Sequence, residues 1–186
     1  MEAEIAELRE RVAHLEARAD ICELATAYAV ACDTHDMPSL MALFAPDAQF
    51  ASPSGLMVAE GREAIHDMFV ELFKVRGPAF HWTHDVCVNV QSADRATGVV
   101  YSHAETTPHR TVSLAAMRYN DEYVRSDERW QFARREISFL YYVPASEYTS
   151  GLNSSRRLTF GDRRIEADYP ENLQAWRNFE ARFTAR

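Results

Sequence analysis

The hexapeptide Phe80-His81-Trp82-Thr83-His84-Asp85 gathers two histidines and an aspartate, residue types that can ligate a metal or move a proton. A His-x-x-His spacing serves a metal only where the backbone turns both rings to one side. The run that follows, Val86-Cys87-Val88-Asn89-Val90, alternates apolar and polar residues as a strand does. In a strand, positions 81 and 84 face opposite ways. Asp85 shares the His81 face but lies about 13 Å along it, too far to join a common ligand set. The expectation is therefore no metal and no other cofactor. Nucleophilic chemistry has less support. The chain contains no G-x-S-x-G elbow, no G-x-G-x-x-G and no phosphate-binding glycine loop. Its three cysteines, Cys22, Cys32 and Cys87, form no CxxC and imply no disulfide framework.

Acid–base chemistry remains, and two histidines compete for it. On strict alternation His84 joins Phe80, Trp82, Val86, Val88 and Val90 on the apolar face, while His81 joins Thr83, Asp85 and Asn89. A β-bulge near residue 84 would reverse that assignment downstream and admit His81 to the apolar face. Far upstream, "AYAVACDTHD" carries Tyr28 and Asp33 at helical spacing. Five residues of helix turn their directions about 140° apart, so they converge on one site only where Asp33 lies at a frayed helix end.

These residues need a scaffold, and the patterning supplies one. Residues 2–17 place Ile5, Leu8, Val12 and Leu15 in a 3-4-3 stripe, and Asp20 with Glu23 offers a fresh helix start for residues 20–33. "PSLMALF" is a short helix, "DAQFAS" and "LMVAE" a hairpin, and "GREAIHDMFVELFKV" an amphipathic helix. Four long strands follow, "FHWTHDVCVNVQ", "ATGVVYSHAET", "TVSLAAMRYNDEYVR" and "RWQFARREISFLYYV". Helices first and a meander afterwards predict an α+β fold with helices on one face of a curved antiparallel sheet. Residues 1–145 form the expected domain. Residues 146–186 form an extension of polar loop and helix, with Pro170 in that helix's first turn.

Composition narrows the partners. A net charge of −8 argues against nucleic acid or an anionic membrane surface. No apolar run approaches the roughly 20 residues of a membrane span, and the first residues lack a signal-peptide core, so a soluble cytoplasmic protein is expected. Ten Phe, eight Tyr and three Trp suit an apolar small-molecule pocket as well as ordinary core packing. The apolar stripes near both termini call for cover by a second copy, hence a homodimer or higher homo-oligomer.

In segment order, "AYAVACDTHDMPSLMALFAPDAQF", "HWTHDVCVNVQSADRATG" and "MRYNDEYVRSDERWQFARREI" resemble the SnoaL-like branch of the NTF2-like superfamily over roughly residues 5–145. That branch includes scytalone dehydratase, bile acid 7α-dehydratase and hexachlorocyclohexane dehydrochlorinase. The resemblance implies a cone closed by helices around an apolar pocket, with a His–Asp pair inside it. It assigns His81 as the base, Asp33 as its carboxylate, and Tyr28 as a hydrogen-bond donor to the departing or developing oxygen, while strand alternation keeps His84 as the reserve base. Around them His84, His103, Tyr101, Phe50, Phe139 and Tyr141 are the expected substrate contacts. Bile acid 7α-dehydratase has an arginine on the last strand where this chain has Phe139, which favours a less polar substrate. The arginines of the tail, Arg156, Arg157, Arg163 and Arg164, could supply that charge, reaching across to a neighbouring copy.

The resulting expectation is a cofactor-independent lyase, losing water or a small carbon fragment such as formaldehyde from an aromatic or alicyclic compound. The same cone also serves as a non-catalytic binding module, as the small structural subunit of ring-hydroxylating dioxygenases, or as a ketosteroid-isomerase-like enzyme.

Overall fold

The computed structural model describes residues 1–184. Helix α1 runs unbroken from Glu2 to Thr34. The sequence suggests a restart at Asp20, but no Gly or Pro occurs between residues 2 and 34, and straight-chain residues and alanine carry the helix through. Its two halves differ in environment. Residues 1–16 are exposed throughout, whereas Ala17, Ile21, Leu24, Ala25 and Tyr28 are buried. The helix stops where His35 takes a left-handed conformation (φ 54°).

Asp36 caps the short helix α2, Met37–Ala42, by accepting from the Ser39 N–H at 3.1 Å. Strand β1, Phe44–Ala51, and the two-residue β2, Ala59–Glu60, make the expected hairpin. Helix α3, Arg62–Val75, buries Ile65 and Phe69. Four long strands follow: β3, Ala79–Val90; β4, Arg95–Thr106; β5, Ser113–Ser126; and β6, Arg129–Pro144. They pair antiparallel in sequence order. The sheet is more mixed than the meander alone suggests, because β1 joins β6 in parallel.

The extension is woven into this sheet. After α4, Tyr148–Gly151, strand β7, Leu158–Phe160, pairs in parallel with β6 at Tyr142 and antiparallel with β8, Arg163–Ile165. The same edge of β6 thus takes β1 along residues 132–136 and β7 at residue 142. Helix α5, Gln174–Phe183, starts four residues beyond Pro170, which lies outside it. Leu173, its N-cap, and its apolar residues Trp176, Phe179 and Phe183 stay exposed.

One core fills the concave side of the sheet under α1 and α3. Ile21, Leu40, Phe44, Phe50, Phe69 and Phe132 are essentially inaccessible there, each worth about 1.5–3 kcal/mol by burial. Among the described residues no helix is long and apolar enough to cross a membrane.

Candidate active site

The register of β3 on β4 determines which histidine meets the core. Thr83 pairs with Ser102 but Val86 pairs with Val100, so three steps on β3 match two on β4. The extra residue is a bulge at positions 84–85. Before it, Ala79 and His81 face inward; after it, Val86, Val88 and Val90 do. His81 therefore enters the core side although it is out of phase with the valines.

There it meets Asp33. The His81 backbone N–H donates to Asp33 Oδ2 at 2.8 Å, and ring Nδ1 lies 2.5 Å from Oδ1. Two contacts to one carboxylate fix both the strand start and the ring. The accepting carboxylate assigns the proton to Nδ1 and leaves Nε2 as the basic nitrogen. Burial pushes the His81 pKa below the ordinary histidine value, and the nearby Arg76 charge pushes the same way, outweighing Asp33. The ring is thus neutral at neutral pH. Burial alone would raise the Asp33 pKa, but the His81 hydrogen bonds carry it below the usual carboxylate value. Asp33 is therefore an anion.

Arg76 caps the end of α3 and is the unexpected member of the group. Its Nη2 lies 3.2 Å from both His81 ring nitrogens and 3.8 Å from Asp33 Oδ1. Equal distances to the two nitrogens place Nη2 over the imidazole face, off either lone-pair direction, so it does not cap Nε2.

His81 and Arg76 form one wall of a partly open cavity of about 60 Å³. The remaining lining is largely apolar, including Leu72, Met117, Ile137, Phe139, Met57 and Phe160. Tyr28, Tyr119 and Tyr142 supply the phenols. Asp33 is absent from this lining and stands behind His81. The angular divergence of Tyr28 and Asp33 along α1 is thus kept, and His81 spans the gap between them. Burial raises the Tyr28 pKa well above the ordinary phenol value and lifts Tyr119 to about 12. Both are hydrogen-bond donors at neutral pH.

Beneath the phenols lies a second buried arginine. The Arg135 guanidinium sits 4.1 Å from the Tyr28 ring centre, 3.9 Å from that of Tyr119 and 4.3 Å from that of Phe132. Its Nε is 3.3 Å from Asp121 Oδ1, and the Tyr123 hydroxyl donates to Asp121 Oδ2 at 2.9 Å. Burial lifts Asp121 to about 6 against the pull of Arg135. Gly98 makes room for Tyr123, since a Cβ there would come within 3.0 Å of its hydroxyl.

The other expected contacts divide. Phe139 lines the cavity. Tyr141 does not: a register shift between Ala116 and Met117 leaves a bulge in β6 that turns Tyr142 inward and Tyr141 outward against Tyr148, ring centres 5.6 Å apart. Phe50 packs in the core on Phe44 and Phe69, away from the cavity lining. Tyr101 points to the outer face and its hydroxyl meets that of Tyr169 at 3.3 Å. His84 and His103 are exposed, with His84 Nε2 2.6 Å from His103 Nδ1. The tail arginines also stay away from the cavity. Arg157 forks onto Glu171 at 2.7 Å, Arg156 bonds the Arg164 carbonyl, and Arg164 pairs with Glu147. Within its own chain the tail contributes Phe160 to the cavity lining.

Sequence reasoning did not single out Arg76, Tyr119, Tyr142, Met57 or Phe160. For Arg76 a signal existed: a lone arginine ending an amphipathic helix five residues before the base.

Residues 13–136, two thirds of the chain, match the SnoaL-like domain. No curated protein matches it. Among solved structures, LinA, a hexachlorocyclohexane dehydrochlorinase, is 23% identical with a TM-score of 0.69, covering 73% of this chain and 94% of LinA. A Novosphingobium aromaticivorans protein proposed to be a scytalone dehydratase is 20% identical with a TM-score of 0.69, over 88% of this chain and 98% of its own. Another from that organism, proposed to be an aromatic ring hydroxylase, is 25% identical with a TM-score of 0.66, over 72% and 96%. These likenesses show the shared fold, and the names attached to it span more than one chemistry. By its domain match and its cone of helices on a curved sheet, the chain belongs to the SnoaL-like family of the NTF2-like superfamily.

Proposed function

We propose that the protein is a cofactor-independent lyase that eliminates a leaving group, first of all water, from a mostly apolar aromatic or alicyclic small molecule. The observation that carries this reading is the Asp33–His81 hydrogen bond at the wall of an apolar cavity. A neutral imidazole with its Nδ1 proton held by a carboxylate is a competent general base. Nε2 takes a proton from carbon, the C–H electron pair becomes the new double bond, and the leaving group departs with the electrons of its own bond. Asp33 stabilises the imidazolium so formed. A leaving hydroxyl takes the proton back from the His81 imidazolium and departs as water, which restores the neutral base. Tyr28, kept protonated by burial, donates a hydrogen bond to the departing or developing oxygen. A dehydrochlorinase among the structural neighbours lends support from the same fold.

The cavity is smaller than a ring-sized substrate, so the lining side chains or the tail strand that carries Phe160 must shift on entry. A β-hydroxyketone, the aldol of benzaldehyde and acetone, tests the reading directly. The expected result is its conversion to the conjugated enone, followed by near-ultraviolet absorbance and abolished in His81→Asn. Saturable binding of the aldol without enone formation, even at high enzyme concentration, would return the chain to the binding-module class.

A further inference from the structure

We propose that Arg76 is a second catalytic residue, whose guanidinium receives the substrate atom that becomes negative while His81 removes the proton. This rests on the elimination reading above and adds a requirement on the substrate. It must carry an oxygen or halogen, as carbonyl or leaving group, two bonds from the carbon that loses its proton.

The placement of Arg76 supports this. Its side chain is 8% exposed and lines the cavity beside the base. Among the described residues its buried Nε has no hydrogen-bond partner, a costly arrangement for a charged group. Arg135 also has unpartnered nitrogens, Nε and Nη1, but it has its own carboxylate, Asp121, directly against it and does not line the cavity. Among the described residues the nearest carboxylate to Arg76 is Asp33, 3.8 Å away and already bound twice by His81. Arg76 therefore keeps unspent hydrogen-bonding capacity at the cavity wall.

Charge balance gives the placement a purpose. Before reaction Asp33 and Arg76 cancel and His81 is neutral. Proton transfer to His81 leaves the group at +1. A cation over the ring opposes that step, and helps only where negative charge appears on the substrate at the same moment. Nη2 sits 3.2 Å from Nε2, within reach of an atom two bonds from the reacting carbon.

The groups facing His81 are few. Asp33 comes from α1, Arg76 from the end of α3 and Arg135, more distantly, from β6; β4 presents the uncharged Ala104 and Thr106. An anion seated on Arg76 must therefore raise the proton affinity of His81.

The experiment is an NMR titration of the histidines in the full chain at constant ionic strength, with and without sodium acetate as the probe. His81 is assigned by loss of its signal in His81→Asn. Acetate is expected to raise His81 proton affinity saturably by about threefold or more, roughly half a pKa unit. In Arg76→Met the affinity should be raised already without acetate, and the acetate response lost. Arg76→Lys, which keeps the charge, should retain the response, and the other six histidines report whether each variant is folded. An unmoved His81 in the unaltered protein, or an acetate response that survives in folded Arg76→Met, overturns the assignment. If Arg76→Met does not fold, Arg76→Lys decides, and loss of the response there with the fold intact also overturns it. No turnover is read, so failure here with enone formation intact removes only the role of Arg76. Success here without enone formation removes only the lyase reading.

Discussion

The two faces of β3 carry one histidine pairing each, and they differ in what surrounds them. On the inner face His81 is bound twice by one carboxylate, lies under a guanidinium and touches an apolar cavity. On the outer face, three residues along, His84 meets only the ring of His103, and both are in water. The residue types are the same, but the desolvation and the charge partners are not. That contrast singles out the catalytic candidate, because an imidazole gains a defined tautomer and a shifted proton affinity only where partners and dryness coincide.

The most severe test of the contrast exchanges the two faces. His81→Asn is expected to lower kcat/KM for aldol dehydration by about 10²–10⁴, the worth of general-base assistance. His84→Asn should leave it within about twofold. Steady-state kinetics on the two variants would end the argument if the larger loss fell on His84.

Next in size is the carboxylate. Asp33→Asn keeps the shape of the contact but removes the charge that stabilises the imidazolium, and about a 10²-fold loss is expected, chiefly in kcat. Its stability consequence has a definite sign. The folded pKa of Asp33 is held below the unfolded value, so its contribution is present above about pH 4 and is lost as pH falls through the folded value. Denaturant midpoints of Asp33→Asn and the unaltered protein should therefore differ at pH 7 and converge in strong acid. A gap that stayed constant down the pH scale would show that Asp33 acts by packing alone.

A smaller effect is expected in the pH profile. The His81 pKa lies below the ordinary histidine value of about 6.5. Protonation of the base removes activity, so kcat/KM should hold down to pH 6.5 and fall only below it. Removing the opposing cation with Arg76→Met should move this acid limb upward. An acid limb above 7 in the unaltered protein would contradict the dry, cation-flanked environment of the ring.

Much of this was legible in the chain and some was not, for a physical reason. The order of helices and strands follows from hydrophobic periodicity, and the pairing of Asp33 with His81 follows from family resemblance across 48 residues. What periodicity cannot register is a single inserted residue. The bulge after Thr83 inverts the inner face of β3, and the bulge near Leu140 exchanges Tyr141 for Tyr142 at the cavity. Helix ends are equally hard to place. The capping pattern at Asp20 is overridden inside α1, while Arg76, just past the end of α3, reaches a site that its own helical stripe does not reveal.

The smallest effect on chemistry is expected from the outer face, where assembly is at stake instead. Phe80 and Trp82 are 56% and 58% exposed, and Ile5, Leu8, Val12 and Leu15 line the exposed half of α1. Trp82 spends its indole N–H on Glu105 at 2.7 Å and leaves the ring face uncovered. A 3-4-3 stripe is the spacing by which one helix packs along another, and none of its four side chains is buried within this chain. A second copy of the chain is therefore the expected cover. Light scattering should report a homodimer or higher homo-oligomer. Phe80→Ser with Trp82→Ser, and separately Leu8→Ser with Leu15→Ser, should show which surface holds it by which pair lowers the mass. Neither pair should change aldol dehydration per folded chain by more than about twofold, since both lie outside the cavity lining. A monomeric unaltered protein would refute the assembly. A large loss of activity in the Phe80–Trp82 pair with the fold intact would show that the outer face takes part in the chemistry, and would break the contrast between the two histidine pairings.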